Sequence, residues 1–294
     1  EETVLKVENI SKNFGMTQAL KDVNFSIRKG TIHSLLGRNG AGKSTVVNII
    51  AGIYRQNSGN VLLEGKEISA YSVFDRQNMG IKIVPQHASI VPNLTVGENI
   101  FLGIWPRKRV FVDWKKLYED AQAELDKYGL KVDPKAKVCS LNGVDQRKVN
   151  IIRAMHGGAR LIILDEPTTA LSSREREELF VFVNELKKKG TAFIFISHYL
   201  QEVVDLSDDV TVIRDGCSFP GADGEILNEE KLASLIAGEE VELVCREIPD
   251  VPGEDRLFME CRHLSGAALK DVSVKLYQGE ITGLVGFPGS GARE

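Results

Sequence analysis

One short run constrains this chain more than any other feature. Gly37, Arg38, Asn39, Gly40, Ala41, Gly42, Lys43 and Ser44 follow the pattern G-x-x-x-x-G-K-[ST]. Glycines at this spacing let main-chain N–H groups converge on phosphate oxygens. The lysine adds a positive charge there, and the hydroxyl after it can ligate Mg2+. Such a loop needs a strand before it and a helix after it. Residues 31–36 (TIHSLL) predict a buried strand, and residues 45–50 (TVVNII), opening on Thr45, predict a helix whose positive end faces the anion. The chain then repeats this passage in damaged form. Residues 268–293 align with residues 19–44 at a constant offset of 249, placing Gly286, Gly289 and Gly291 opposite Gly37, Gly40 and Gly42. Ala292 and Arg293 stand opposite Lys43 and Ser44, so the copy lacks the phosphate lysine.

Composition fits an α/β protein of one large domain or two. The net charge of −4 provides no basic field for nucleic acid. Cys139, Cys217, Cys245 and Cys261 form no C-x-x-C pair, and buried or inert thiols in a reducing cytoplasm are the expectation. No stretch approaches the roughly 18 apolar residues of a membrane span. The opening Glu1, Glu2 and Thr3 lack the apolar core of a signal peptide. A role at a membrane therefore has to run through a partner.

A second element of the site lies downstream. Residues 161–164 (LIIL) predict an apolar strand ending in Asp165 and Glu166. The first acid can hold Mg2+ through water, and the second can polarise an attacking water. Alone, this pattern is equally a capped strand end. It gains meaning from the following residues 167–171 (PTTAL) and from His198, after a second buried strand at 191–197 (TAFIFIS). A lone histidine is usually structural. One at the end of a neighbouring parallel strand, however, reaches the crevice that Asp165 faces.

Together these residues resemble the ATP-binding cassette family, over about residues 3–240 and again from about 256. The resemblance implies a P-loop α/β fold: a mixed core sheet flanked by helices, an antiparallel β-subdomain from residues 3–30 and 60–70, and a helical subdomain at about 87–156. It also implies roles for residues. Phe14 stands where an aromatic stacks on adenine, and Gly37–Thr45 is the Walker A loop. Gln86 is the Q-loop residue that touches Mg2+ and the attacking water. Leu141, Asn142, Gly143, Val144, Asp145 and Gln146 occupy the signature position. Leu161–Glu166 is Walker B, Thr169–Ser172 the D-loop and His198 the switch histidine. Catalysis would then rest on Glu166, His198, Gln86 and Lys43, and the metal on Ser44, Gln86 and Asp165, with ATP and Mg2+ bound. The finer resemblance is to importers of ribose, galactose and xylose type, whose ATPase is two fused cassettes. Residues 92–102 (PNLTVGENIFL), 196–199 (ISHY) and 210–216 (VTVIRDG) carry it, along with the repeat. The implied organisation is a first cassette at 1–240, a linker at 241–255, where Pro249 and Pro252 discourage helix, and the start of a second cassette at 256–294. The implied partners are a membrane permease, indirectly an extracytoplasmic solute-binding protein, and the second cassette, with no nucleic acid. The implied place is the cytoplasmic face of the membrane.

Within the helical subdomain, Trp114, Leu117, Tyr118, Ala121, Leu125 and Tyr128 fall on one helical face, read as packing against the core. Asp113 is the expected N-cap and Gly129 the expected C′ residue. Ala88, Ser89, Ile90 and Val91 are the permease-facing candidates, and Arg107, Lys108 and Arg109 read as a solvated loop, with a lipid-headgroup contact as the alternative.

The departures from the family pattern are informative. Its signature is Leu-Ser-Gly-Gly-Gln, contacting the γ-phosphate held by the opposite cassette. Here Asn142 offers a longer donor arm, and Val144 places a β-branched side chain where close approach is wanted. Asp145 places a carboxylate near the anion, or alternatively stabilises the N-terminus of a helix expected at Gln146–Met155. In the second copy the adenine-stacking segment is five residues shorter, and Gly266 and Ala267 offer no aromatic. Both losses fall on the same composite site, predicting one hydrolytic site and one degenerate one. Residues 256–294 are expected not to form a domain alone, leaving strands at Leu257–Cys261 and Ile281–Val285 without partners. Two rival classes stay open: a cassette ATPase outside transport, and a nucleotide-binding module with little hydrolysis.

Overall fold

The computed structural model describes residues 2–86, 90–221, 228–238, 256–266 and 269–284. The chain divides into two compact units, Glu1–Glu242 and Leu243–Glu294. The first unit holds two main sheets. Strands β1 (Thr3–Phe14), β2 (Thr17–Arg28), β4 (Ser58–Leu63) and β5 (Lys66–Glu67) form an antiparallel sheet in the order β2-β1-β4-β5. This is the expected β-subdomain. Strands β3 (Ile32–Leu36), β6 (Ile81–Val84), β9 (Leu161–Asp165), β10 (Ala192–Ile196), β11 (Asp209–Arg214) and β12 (Cys217–Pro220) form a six-stranded sheet in the order β12-β11-β3-β10-β9-β6. All its pairings are parallel except β11 with β12, so the core sheet is mixed.

The central strands are apolar along their whole length because both faces are covered. Alternation sorts their side chains between two cores. Phe193, Phe195, Ile162 and Leu164 pack with the helices α4 (Trp114–Lys127), α5 (Gly143–Met155) and α6 (Ser173–Lys188). Ala192, Ile194, Leu161 and Ile163 pack with β1, β2 and the helix α1 (Lys43–Ala51). Shorter helices complete the unit: α2 (Val73–Asn78), α3 (Val96–Ile100), α7 (Leu200–Leu206) and α8 (Glu229–Ala237).

Asp113 caps α4 by accepting from the Lys116 N–H, and Gly129 follows its end at φ 71°. Leu117, Ala121 and Leu125 are buried as expected, whereas Trp114 is 46% exposed, stacks with Tyr118 and meets Trp105 at a tilt. Three expectations need correction. Helix α5 starts at Gly143 rather than Gln146, because the Asn142 side chain caps it by accepting from the Asp145 N–H at 2.7 Å. Arg107, Lys108 and Arg109 are not a loop. They belong to a hairpin of β7 (Arg107–Lys108) and β8 (Phe111–Val112). Among the thiols, Cys139 is exposed; Cys217 and Cys261 are half-buried, and no disulfide links these three. Cys245 lies outside the described residues.

In the second unit, β13 (Leu257–Leu264) pairs antiparallel with β14 (Val272–Tyr277). The strand expected at Leu257–Cys261 thus has a partner, its neighbour in sequence. Residues 281–284 form no strand, and Ile281 and Leu284 are 94% and 75% exposed. The reason is topological. Their counterpart β3 is sandwiched between β10 and β11, and residues 256–284 supply no equivalent of either. No described residue of this unit is buried. The damaged loop, from Gly286 to Arg293, lies outside the described residues, as do Ala267, Ala88, Ser89 and the stretch 241–255. Among the described residues, no helix is long and apolar enough to cross a membrane.

Candidate functional site

Four parallel strands deliver their following loops to one edge of the sheet. In register, Ile196 lies beside Asp165, Leu164 beside Val84, and Phe195 beside Ser34. The loops after β3, β6, β9 and β10 therefore emerge together, bringing Gly37–Ser44, Gln86, Glu166 and His198 to the carboxyl ends where ligands gather in such sheets.

The loop after β3 is specified sterically. Gly37 has φ 148°, and a Cβ there would sit 2.1 Å from the Ile213 carbonyl oxygen. Gly42 has φ 112°, and its Cβ would meet Leu20 Cδ2 at 2.6 Å. Gly42 is also the N-cap of α1, with no side chain capping it. By contrast, α2, α3, α4, α5, α6 and α8 each carry a capping side chain. The first N–H groups of a helix have no intrahelical partner. At α1 no side chain covers them, which makes this end fit for an anion. Lys43 is buried, and its Nζ donates to the carbonyls of Gly37 at 2.6 Å and Arg38 at 3.1 Å. Burial pushes its pKa down, opposed by the charges of Glu166 and Asp165.

A cavity of about 210 Å³ joins these elements. Its lining includes Asn39, Gly40, Gly42, Lys43, Ser44 and Thr45 from the loop, with Asp165, Glu166 and His198 opposite. Burial, then the neighbouring charge of Glu166, pushes the Asp165 pKa up, partly offset by His198 and Lys43. Glu166 has left-handed backbone at φ 46°. Its carboxylate accepts from Gln86 Nε2 at 2.6 Å and from Thr169 Oγ1 at 3.5 Å, and it pairs with His198 Nε2. The glutamate is thus held on three sides by residues from three loops.

Ser44, Gln86 and Asp165 offer hard oxygen donors. They fit Mg2+, which favours one or two carboxylates plus phosphates and waters over an all-protein cage. No cluster of three or more His, Cys, Asp or Glu side chains able to hold a metal occurs among the described residues. Two crowded carboxylates, one of them pushed towards protonation, also suit a cation placed between them and phosphate.

Other predicted residues sit apart from this cavity. Phe14, at the end of β1, is 44% exposed, meets Tyr54 edge-on at 5.3 Å and lies 5.0 Å from Lys12 Nζ. Arg38 and Ala41 line a neighbouring cavity of about 460 Å³ with Thr17, Gln18 and Arg214. Leu141, Asn142, Gly143, Val144, Asp145 and Gln146 form the start of α5, where Gln146 Nε2 donates to the Leu141 carbonyl at 2.9 Å. Val144 points into the core at 1% exposure. It therefore does not stand in the way of an approaching partner, correcting the expectation of a β-branched obstacle. Asp145 lies 3.7 Å from Lys148, which moderates its charge. Ile90 is half-buried and Val91 exposed.

Sequence reasoning missed Glu202. Its buried carboxylate accepts from Ser197 Oγ at 2.6 Å and Thr168 Oγ1 at 2.9 Å, and pairs with Arg176 at 3.3 Å. It ties the residue before His198 to the segment after Glu166. An acid at the fourth position after the histidine, on the core-facing side of a short helix, was the available signal.

A family model described as "ABC transporter" matches residues 20–169. The ribose import ATP-binding protein of Streptomyces avermitilis is 40% identical over 99% of this chain and 55% of its own length. The xylose import ATP-binding protein of Geobacillus kaustophilus is 38% identical over 99% of this chain and 59% of its own. The galactose/methyl galactoside import ATP-binding protein of Salmonella typhimurium is 34% identical over 98% and 57%. This chain therefore spans a little over half the length of these relatives. Among solved structures, the ADP conformation of an ATP-binding cassette of an ABC transporter superposes with a TM-score of 0.69 at 29% identity, covering 81% of this chain and 96% of that one. A dimeric post-hydrolysis cassette bound to ADP and Pi gives 0.61 at 25% identity, covering 74% and 98%. The chain belongs to the ABC transporter family.

Proposed function

We propose that this chain is the ATP-binding and ATP-hydrolysing part of an importer subunit for a monosaccharide or similar polar small molecule. It works at the cytoplasmic face of a membrane, against a permease fed by an extracytoplasmic solute-binding protein. What carries the reading is one cavity that gathers Lys43, Ser44, Asp165, Glu166 and His198 at the end of an uncapped helix. The relatives named for ribose, xylose and galactose import supply the substrate class.

In this reading the N–H groups of the loop and of the first turn of α1 take the β- and γ-phosphates, with Lys43 neutralising charge between them. Phe14 takes the adenine. Ser44, Gln86 and Asp165 would hold Mg2+, which would spread the charge of the phosphate oxygens. Glu166 orients and polarises the attacking water, and Gln86 and His198 fix its carboxylate. His198 and Lys43 stabilise charge developing at the γ-phosphoryl group. ATP favours the closed cassette pair, and closure moves the segment after Gln86 against the permease.

Residues 256–294 are the beginning of a second cassette, joined by a linker at 241–255. The signature at Leu141–Gln146 departs from the family pattern, and the repeated loop at Gly286–Arg293 lacks the lysine. The full-length protein therefore has one hydrolytic site and one degenerate site. Stoichiometric nucleotide trapping is expected to hold one hydrolysed nucleotide per molecule; two equally hydrolysing sites overturn this. For the function itself, the test is pull-down of the full-length protein from mildly solubilised membranes of its native host. A polytopic membrane protein at fixed stoichiometry is expected. Ribosomes, nucleic-acid enzymes or no partner would move the assignment to a cassette ATPase outside transport.

A further inference from the structure

The β7–β8 hairpin breaks local rules in a way its fold does not require. Its two-residue turn is Arg109 and Val110, with Lys108 paired to Phe111. Arg109 has φ 60°, a conformation that glycine or asparagine ordinarily fills at such turns. The tip that is normally polar and small here carries a cation and a β-branched apolar side chain. Val110 is 83% exposed and Phe111 76%.

Charge is concentrated at the same place. Arg107, Lys108 and Arg109 are three successive exposed cations, and no carboxylate among the described residues is seen to pair with any of them. The chain as a whole carries −4, so this patch opposes the sign of the molecule. The hairpin is also held firmly at its base. The Asp113 N–H donates to the Pro106 carbonyl at 2.8 Å, and Trp105 Nε1 donates to the Glu98 carbonyl at 3.0 Å. Trp105 in turn lies 5.9 Å from Trp114, ring to ring. A tethered base therefore presents Val110 and Phe111 beside three successive cations, with Trp105 and Trp114 behind them.

We propose that this hairpin is an anionic-membrane contact: Val110 and Phe111 enter the headgroup boundary, and Arg107, Lys108 and Arg109 lie among lipid phosphates. The pairing of chemistries argues for a lipid surface. Apolar tips gain by leaving water, flanking cations gain from a negative surface, and indole rings settle at the boundary. An acidic protein segment would satisfy the cations and leave Val110 and Phe111 in water. The inference goes beyond the transport reading, since it needs no permease.

The test is co-sedimentation of this 294-residue chain with vesicles of phosphatidylcholine, with and without phosphatidylglycerol. Binding is expected only to the anionic vesicles and should weaken as salt rises. Reversal by Arg107→Glu, Lys108→Glu and Arg109→Glu is expected to weaken it about a hundredfold. Val110→Asp with Phe111→Asp should weaken it at least about tenfold. A control reversing the exposed Arg55, Lys131 and Lys137 should change it little. Thermal melts and nucleotide affinity should be unchanged in all variants, as none touches the core or the cavity. Equal binding to both vesicle types, no vesicle binding, or equal loss in the control overturns the proposal. None of these outcomes bears on whether a permease co-purifies.

Discussion

In the proposed function, Glu166 is the residue on which the chemistry turns. Its left-handed backbone and its contacts with Gln86, Thr169 and His198 fix one carboxylate orientation in the cavity. Glu166→Gln keeps the shape and removes the basic oxygen. In the full-length protein, phosphate release is expected to fall by at least about a hundredfold, while equilibrium nucleotide binding stays within a few-fold. Turnover near the wild-type rate would remove Glu166 from its role as base. The place of this residue in the cavity was readable because an apolar strand ending in two acids and a later histidine are local patterns. Its support was not. Glu202 meets Thr168 across 34 positions in sequence, and such a pairing leaves no mark in spacing.

At the scale of elements, helix ends carry unexpected weight. Asn142 sits in the signature segment and also caps α5. Asn142→Ala is expected to cost about 1 kcal/mol and Asn142→Ser close to nothing, read from thermal melts. Any loss of turnover in the serine variant then belongs to the nucleotide and not to the fold. Helix α1 is tied at its other end by Arg76, which is fully buried. Its guanidinium donates to the carbonyls of Ile49 at 2.5 Å, Ile50 at 2.9 Å, Ser69 at 3.1 Å and Tyr71 at 3.2 Å. Arg76→Met removes a donor from all four carbonyls, of which Ile49 keeps the Gly52 N–H, and is expected to destabilise by about 3 kcal/mol in urea titration. Arg76→Lys is expected to recover little of this, because an ammonium lacks the planar fork. The long strands and helices were legible from apolar runs and caps. The start of α5 was misplaced because Asn142 was weighed as an interface residue before its capping chemistry. The β7–β8 hairpin was missed because two-residue strands have no periodicity and their turn lacks glycine.

Across the whole molecule, stability carries a pH signature from β3. His33 is buried in that strand, with Nε2 bonded to Thr211 Oγ1 at 2.9 Å and Nδ1 without a partner. Burial pushes its pKa down to about 4, against the opposing charge of Asp209. Between about pH 6.5 and 4 the unfolded chain binds the proton and the folded one does not. The contribution is therefore fully present above pH 6.5 and lost as pH falls towards 4, by about 3 kcal/mol. The urea midpoint should drop across that window, and drop less in His33→Leu; identical pH profiles would rule the histidine out. The same strand governs how the molecule comes into being. β3 lies between β10 and β11, and the Ile32 N–H donates to Asp208, 176 positions later. At roughly 5–20 residues per second of synthesis, β3 waits roughly ten to thirty seconds for its neighbours. The β1–β2 hairpin can close at once, but the strand that launches the phosphate loop has no sheet neighbour until β10 has left the ribosome and gains its second only with β11. Throughout that interval the nascent cassette is a substrate for chaperones and proteases.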